Sequence, residues 1–409
     1  MLLTTNLAIL LGSYYLLKPV REALILTEGG AEVKSYSSAA QAVLLLLVVP
    51  AYGAFGSRVR RLKLIASVTF FFVSNLIVFY FLGKAGVREG VIFFIWVGIF
   101  NYFVIAQFWA FANDLFSESQ GKRLFPILGI GSSLGALVGA WAASRLINFV
   151  GPYGLILAAA GGITTCIALT ALADRWGAQR TGEQESTKSK IPLGKEGGFE
   201  LIWKDRYLLL IAVLTVLLNV VNTSGEFILS KLVVARSLEL FGPGAEMARK
   251  TFVGSFYAQF FGWVNLLGLV LQTLFVSRIF RYVGVRGSLF ILPTIAFTGY
   301  TMILLYPALG VVRLLKILEN STDYSVQNTA RQALFLPTSR EAKYKAKVAV
   351  DTFFVRIGDV LQAGIVYVGT MLAFSISTFA AISVALTLAW ILVSVGIYRE
   401  HKQRIPTVS

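Results

Sequence analysis

Apolar windows long enough to cross a lipid bilayer fill most of this chain. A transmembrane helix needs about 20 mainly apolar residues, and the sequence holds about twelve such windows. With 56% hydrophobic and 14% charged residues, the composition is that of an integral membrane protein. We therefore predict an all-α membrane protein of about twelve helices. The windows run roughly over 2–26, 37–56, 62–83, 90–114, 126–149, 153–173, 207–233, 252–278, 285–305, 308–334, 347–371 and 377–398.

The longest polar stretch separates these windows into two groups of six, and its Gly, Ser, Lys and Glu content is typical of a flexible linker. The two groups share motifs at a nearly constant offset: Glu22 matches Glu226, and Pro126 matches Pro337. A repeated offset indicates a duplicated unit, which is typical of secondary transporters. We therefore predict a major facilitator-like fold. Its parts are an N-terminal six-helix half at 1–175, a cytoplasmic linker at 176–206, a C-terminal six-helix half at 207–398 and a cytoplasmic tail at 399–409.

Basic residues concentrate in the loops that follow the even-numbered spans. Cytoplasmic loops of membrane proteins carry this excess of Lys and Arg, so the pattern predicts cytoplasmic N- and C-termini in the inner (cell) membrane. The formal net charge of +16 is then a topology signal that also attracts anionic lipid. We expect a monomer in the lipid bilayer, without nucleic acid, because the sequence offers no soluble module to hold it.

Cysteine and histidine each occur once, as Cys166 and His401. One cysteine cannot form an intramolecular disulfide, and one of each cannot build a Cys/His metal cluster. A histidine in the polar tail also cannot serve a buried nucleophile. The sequence therefore predicts neither an enzyme nor a protein with a metal or another cofactor.

Charged residues interrupt several spans, although each charge costs roughly 2.5–3.5 kcal/mol at the centre of a membrane helix. In the first span, Lys18, Arg21 and Glu22 lie within about one helical turn, beside Pro19. This cluster is a candidate half-site for an anion. The alternative is that Glu22 only neutralises a neighbouring cation near the membrane surface.

The fourth span ends in Asn113 and Asp114, and Lys122 follows in the next loop. Asp114 and Lys122 are candidates for a gating ion pair at the inner mouth of a transport path. An ordinary pair of loop charges is the alternative. In the seventh span, Asn219, Asn222 and Glu226 follow an i, i+3, i+7 pattern and share one face, which predicts a water-filled cavity or hydrogen bonds between helices.

The tenth span carries the longest polar stripe. Its members recur at steps of three or four and alternate in charge, so neighbours can neutralise each other until an anion arrives. In the eleventh span, Lys347 and Asp351 are spaced i, i+4, which also permits a simple internal salt bridge. We predict that the stripe lines a transport path. Its residues are Lys316, Asn320, Asp323, Gln327 and Arg331.

Glycines at 131, 135 and 139 repeat every four residues in the fifth span, within GIGSSLGALVG. A phosphate-binding loop would need a preceding strand and a Lys-Ser/Thr end, which this segment lacks. The spacing instead predicts close packing of this helix against a neighbour.

Three segments resemble the ATP:ADP antiporter (nucleotide transporter) family of plastids and intracellular bacteria: SYYLLKPVREALIL, FWAFANDLFSESQGKRLFPILGIG and KYKAKVAVDTFFVRIGD. They occur in the family's order and span nearly the whole chain. The resemblance implies exchange of one nucleotide for another across a membrane. It also implies that the family's functional basic residues fall on Lys18 and Lys347, and its acidic residues on Asp114 and, approximately, Glu226.

Departures from the family pattern change the charge balance of the implied site. Arg331-Gln332 replaces a Lys-Glu pair, Asp359 stands where a basic residue is usual, and the alignment around Glu226 slips by about one position. These differences bear on the substrate more than on the fold.

We therefore predict a nucleotide (ATP/ADP-type) antiporter that works by alternating access. Two alternatives remain open: a proton- or ion-coupled transporter of another anionic solute, with Glu22, Glu226 or Asp323 as proton carrier, and a membrane sensor that transports nothing. The predicted substrate-binding residues are Lys18, Arg21, Asn113, Lys316, Arg331 and Lys347. The predicted gating or charge-pairing residues are Glu22, Asp114, Lys122, Glu226, Asp323 and Asp351.

Overall fold

A computed structural model describes residues 1–56, 61–116, 118–178 and 197–404 of the chain. Every regular element in these ranges is helical. Side chains are described there except at 50–56, 61, 62, 114, 118, 119, 121, 122, 126 and 176–178.

The first part of the chain folds into five helical segments. The fifth has 61 residues and would measure about 90 Å if it were straight, three times the thickness of a bilayer's hydrocarbon core. It is interrupted at Gly151, whose φ of 68° lies in the left-handed region that glycine adopts without steric cost. It therefore supplies two crossings. The segments are α1 (Leu2–Glu28), α2 (Gly30–Gly56), α3 (Arg61–Lys84), α4 (Gly90–Leu115) and α5 (Glu118–Ala178).

The remaining helices include four π-helical turns that sit within longer helices. The elements in chain order are α6 (Gly198–Lys204), α7 (Arg206–Phe241), α8 (Glu246–Val270), a π turn (Leu271–Phe275), α9 (Val276–Tyr282), α10 (Gly284–Ser288), α11 (Ile291–Leu305), α12 (Leu309–Thr322), a π turn (Asp323–Gln327), α13 (Asn328–Leu334), a π turn (Ala342–Ala346), α14 (Lys347–Ala349), a π turn (Val350–Phe354), α15 (Val355–Met371) and α16 (Ile376–Arg404).

Each of the twelve predicted windows is helical over most of its length. Within the described ranges, eight helices are long and apolar enough to cross a membrane by composition alone. The helices around 2–28, 309–334 and 342–371 fall outside that set and carry most of the charged residues singled out above. The prediction of an all-α membrane protein with about twelve helices is confirmed.

The chain forms two compact units. Unit 1 comprises Met1–Lys190 with Val234–Asn265, and unit 2 comprises Ile191–Val233 with Leu266–Ser409. The end of α7 and most of α8 therefore belong to unit 1 with the N-terminal helices. The six-plus-six division at 1–175 and 207–398 stays a prediction about internal symmetry and does not coincide with these units.

The end of the predicted linker is helical. In α6, Ile202 is fully buried, and the Phe199 ring packs edge-on against the Phe353 ring with centroids 5.0 Å apart. The apolar residues of GFELIW thus allow this short helix to pack against other helices of unit 2. Residues 179–196 of the predicted linker lie outside the described residues.

Glycines on α5 allow its backbone to touch the backbone of α1. A Cβ atom placed on Gly135 would lie 2.1 Å from the Ala8 carbonyl oxygen, and one on Gly139 would lie 2.4 Å from the Gly12 carbonyl oxygen. No side chain fits at such distances. The prediction that these glycines serve close helix packing is confirmed.

Replacing Gly139 by Leu should therefore destabilise unit 1. Overpacking of this kind typically costs about 1–3 kcal/mol, and a rigid backbone neighbour favours the upper end of that range. Thermal unfolding of the detergent-solubilised protein measures the effect. The matched control is Gly129→Ala on the same helix, because a Cβ there meets nothing within 4 Å. Equal melting temperatures for Gly139→Leu and Gly129→Ala would contradict the packing role.

Candidate functional site

A fully buried lysine organises the polar residues of unit 2. Lys316 on α12 is 0% exposed, and its Nζ lies 2.9 Å from Glu319 Oε2. The same ammonium donates to both the backbone and the side-chain oxygens of Asn222 on α7. An ammonium group has three donors, so all of them are engaged. Lys316, predicted to contact substrate, is locked in an internal network in this structure.

The carboxylates around Lys316 are held as well. The Tyr300 hydroxyl donates to Glu319 Oε2 at 3.1 Å. Asn320 Nδ2 donates to Glu226 Oε1 at 2.9 Å, and Glu226 Oε1 lies 4.0 Å from Lys316 Nζ. The predicted polar faces of the seventh and tenth spans therefore meet. They pair with each other, as buried charges must to offset desolvation.

A π turn lies in the middle of the predicted stripe, at Asp323–Gln327. Gln327 is buried, and neither its Oε1 nor its Nε2 atom has a hydrogen-bond partner. Such turns occur frequently at functional sites, because they interrupt the regular helical hydrogen bonding. Apolar periodicity carries no signal for them, so the sequence predicted an uninterrupted helix here.

Arg331, Lys347 and Asp351 come together in unit 2 as a half-exposed group, here called the cation pair. Arg331 Nε lies 3.9 Å from Asp351 Oδ1, and Lys347 Nζ lies 3.7 Å from Asp351 Oδ2. Both distances exceed those of hydrogen bonds, and neither Arg331 Nε nor Asp351 Oδ1 has a hydrogen-bond partner. The three side chains are 19%, 31% and 29% exposed. Two cations thus share one loosely held carboxylate.

Unit 1 contains a second cluster, the Glu22 cluster, formed by Lys18, Arg21, Glu22 and Lys34. The buried Glu22 carboxylate lies 2.6 Å from Arg21 Nη2 and 2.7 Å from Lys34 Nζ. Lys18 Nζ sits 3.9 Å from the centre of the Phe261 ring, a distance typical of a cation–π contact. The four residues carry three positive charges and one negative charge, a balance that suits an anion.

Lys34 was missed by the sequence reasoning, which began the second span at residue 37. The helix begins at Gly30, so Lys34 is held on α2 and reaches Glu22 on α1. Its polar neighbours made the segment resemble a loop. The signal that could have identified Lys34 is Glu22, an acidic residue within an apolar span that needs cations to neutralise it.

The fourth-span residues and Asp359 complete the positions singled out in the sequence. Asn113 is exposed on α4, and the side chains of Asp114 and Lys122 lie outside the described residues. Asp359 accepts hydrogen bonds from Asn219 Nδ2 at 2.8 Å and from Arg356 Nη1 at 2.9 Å. The unusual acid at position 359 is therefore paired within unit 2.

Solved structures share this arrangement of helices. The chain aligns over 97% of its length with 97% of a bacterial homologue of the iron transporter ferroportin, with a TM-score of 0.66 and 15% identity. It aligns over 98% of its length with all of the nucleoside transporter NupG, with a TM-score of 0.66 and 12% identity. The chain therefore has a major facilitator-like fold.

Sequence comparison shows which family the chain resembles. Residues 242–401 match the family model described as TLC ATP/ADP transporter. ADP,ATP carrier protein 1 of Chlamydia trachomatis is 23% identical over 327 residues, which are 69% of this chain and 60% of the relative. ADP,ATP carrier protein 5 of Rickettsia bellii is 23% identical over 355 residues, 74% of this chain and 68% of the relative.

These matches confirm the predicted resemblance to the ATP:ADP antiporter family. The chain spans about 60% of the length of the Chlamydia relatives that it matches. The family is one of transporters, in agreement with the prediction that the chain is not an enzyme. The matched segment contains Lys316 and the whole cation pair.

Removing the Lys316 side chain should destabilise unit 2 strongly. Lys316→Ala leaves Glu319 buried without its counter-ion, and breaking such a pair typically costs about 3–5 kcal/mol. Lys347→Ala is the matched control, since a half-exposed and loose ion pair contributes about 1 kcal/mol or less. Thermal unfolding compares the two variants. The neutral double variant Lys316→Met with Glu319→Gln should recover much of the loss. A Lys316→Ala protein as stable as Lys347→Ala would rule out the buried network.

Proposed function

We propose that the protein is a nucleotide antiporter of the ATP/ADP type that works by alternating access. The observation that carries this proposal is the position of the cation pair inside the segment that matches the ATP/ADP transporter family. The relatives that support it are ADP,ATP carriers. The alternative is a proton- or ion-coupled transporter of another anion. An exchange experiment distinguishes the two functions.

The chemistry of the cation pair suits a phosphate group. The guanidinium of Arg331 offers paired donors that match a phosphate, and Lys347 adds a mobile point charge. Asp351 lies near both cations, but at distances too long for hydrogen bonds. An entering phosphate can therefore replace the carboxylate at low cost, and Asp351 can return when the phosphate leaves.

The Glu22 cluster is proposed as a second group that responds to the substrate's charge. Glu22 is held by two cations at short distances, so its role is to keep Arg21 and Lys34 in place. Lys18 lies against an aromatic face, which stabilises a cation without neutralising it. We assign phosphate contact to Lys18 and Arg21, and charge pairing to Glu22.

The remaining parts of the proposal concern surroundings and orientation. We propose a monomer in the inner (cell) membrane with both termini in the cytoplasm. The excess of basic residues in the even-numbered loops supports this orientation. Reaction of single cysteines placed in loops with an impermeant thiol reagent, in intact cells and in inverted vesicles, tests it.

Exchange in proteoliposomes tests the function directly. We expect liposomes loaded with unlabelled ADP to accumulate labelled ATP, and liposomes without internal nucleotide to accumulate far less. Dissipation of the pH gradient by a protonophore should leave exchange nearly unchanged, whereas a proton-coupled carrier would lose transport. If no nucleotide exchanges above the level of protein-free liposomes, the proposal fails.

Variants of the cation pair should impair exchange without unfolding the protein. Arg331→Ala and Lys347→Ala each remove a charged contact worth about 1.5–3 kcal/mol, so we expect a roughly tenfold to hundredfold lower kcat/KM for nucleotide. Lys204→Ala is the matched control, because Lys204 is exposed and pairs only weakly with Glu200 across one helical turn. Unchanged kinetics in both cation-pair variants, with normal melting temperatures, would remove these residues from the site.

A further inference from the structure

A buried carboxyl group without a hydrogen-bond partner lies where α1 ends and α4 begins, in unit 1. Glu89 immediately precedes α4 and is only 3% exposed. Neither of its carboxyl oxygens has a hydrogen-bond partner, and its side chain does not cap the helix. Buried polar groups are nearly always paired in native proteins, so this one requires a physical explanation.

The donors that Glu89 would use are taken by a carboxylate from another helix. Glu28, the last residue of α1, accepts a hydrogen bond from the Gly90 backbone N–H at 2.7 Å. Its other oxygen lies 2.8 Å from Lys250 Nζ. A Cβ atom at position 90 would lie 2.9 Å from Glu28 Oε2, so glycine is what lets Glu28 reach the start of α4.

Lys250 has no donor left for Glu89. Its ammonium contacts Glu28, then Glu246 Oε1 at 2.9 Å, then the Tyr153 hydroxyl oxygen at 3.2 Å. These three contacts account for the three N–H donors of an ammonium group. The network thus engages every donor of Lys250 and leaves Glu89 buried beside it.

The charges around Glu89 oppose its ionisation. Burial and the nearby Glu28 carboxylate raise the pKa of Glu89 to about 7, although the Lys250 charge acts in the other direction. The titratable and charged groups in this region are Glu28 from α1, Arg88 from the connection before α4, Tyr153 from α5, and Glu246, Arg249 and Lys250 from α8.

We propose that Glu89 is a proton-binding residue, which takes up a proton when this end of unit 1 is closed and releases it when the end opens to water. In the closed arrangement the neutral acid needs no counter-ion. When the contact between Glu28 and Lys250 breaks, water reaches Glu89 and the carboxylate becomes the stable form. A proton is the ligand because Glu28 has both oxygens occupied, and Glu89 alone cannot supply the several oxygen ligands that a metal cation requires.

The direction of the pH effect follows from these two states. The ordinary pKa of a glutamate is 4.5, and the closed arrangement raises that of Glu89 to about 7. Acid therefore favours the closed arrangement. Its stability relative to the open one decreases as pH rises from 4.5 to about 7 and stays constant above that value. A difference of this size corresponds to a change of up to about 300-fold in the ratio of closed to open protein.

Infrared difference spectroscopy of the purified protein in lipid nanodiscs tests proton binding without any transport assay. We expect the wild type to show the carbonyl band of a protonated carboxyl group that disappears with a midpoint near pH 7. Glu89→Gln should lack this band. Glu239→Gln, which neutralises an exposed glutamate of the same unit, should keep it. A band that survives in Glu89→Gln, or a wild-type midpoint near the ordinary value of a glutamate, overturns the proposal.

Hydrogen exchange tests the link to opening. After correction for the intrinsic pH dependence of exchange, amide protection at 84–93 and 246–250 should fall between pH 5 and pH 8 in the wild type and in Glu239→Gln. It should not change in Glu89→Gln, which mimics the protonated acid. Equal pH dependence in Glu89→Gln and the wild type would contradict the link.

A second variant keeps the test decisive if the amide variant does not fold. Glu89→Asp retains a carboxyl group at a different depth, so its infrared midpoint must move away from that of the wild type. An unmoved midpoint would overturn the assignment. Neither measurement uses a nucleotide, so failure of the proposed exchange activity and failure of this proposal give different results.

Discussion

The structure depends on the need to neutralise every charge that the apolar helices carry. In the hydrocarbon region water cannot solvate an ammonium or a carboxylate, so each must find a partner within the protein. Lys316 shows how completely this is done, with three donors bound to Asn222 and Glu319 in a site closed to solvent. The helix α12 is thereby fixed against α7 in one rotational setting, because a turned helix would leave Lys316 without the Asn222 oxygens.

Ion pairs in this protein differ in how tightly they are made. The contacts of Lys316 and Glu22 are short and closed to solvent. The contacts of Asp351 with Arg331 and Lys347 are long, half-exposed and incompletely hydrogen-bonded. In the proposed transporter, the short contacts hold the helices in place, and the long contacts exchange partners with a passing anion at the lowest cost.

The sequence predicted the helices well because apolar windows of bilayer length have few alternative structures. The i, i+4 spacing of Lys347 and Asp351 also indicated their ion pair, whereas nothing in the sequence indicated that Arg331 joins it. The sequence did not predict the surroundings of residues whose partners lie on a different helix. Lys34 was assigned to a loop although Glu22 of α1 requires it, and Glu89 was passed over because its burial depends on Glu28 from a different helix. Spacing along one helix also did not reveal that Asn222 binds Lys316, which stays a predicted substrate contact.

The spacing of Lys316 and Glu319 also has a consequence for how the protein is made. The two residues are one turn apart on α12, so they can pair before any other helix is present. The nascent helix can thus enter the membrane as a nearly neutral segment, although it is too charged to be recognised by hydropathy alone. The hydrogen bonds from Lys316 to Asn222 then form only after α12 meets α7, which is already in place because it is synthesised earlier. Membrane insertion and tertiary assembly are in this way separate steps that use the same lysine.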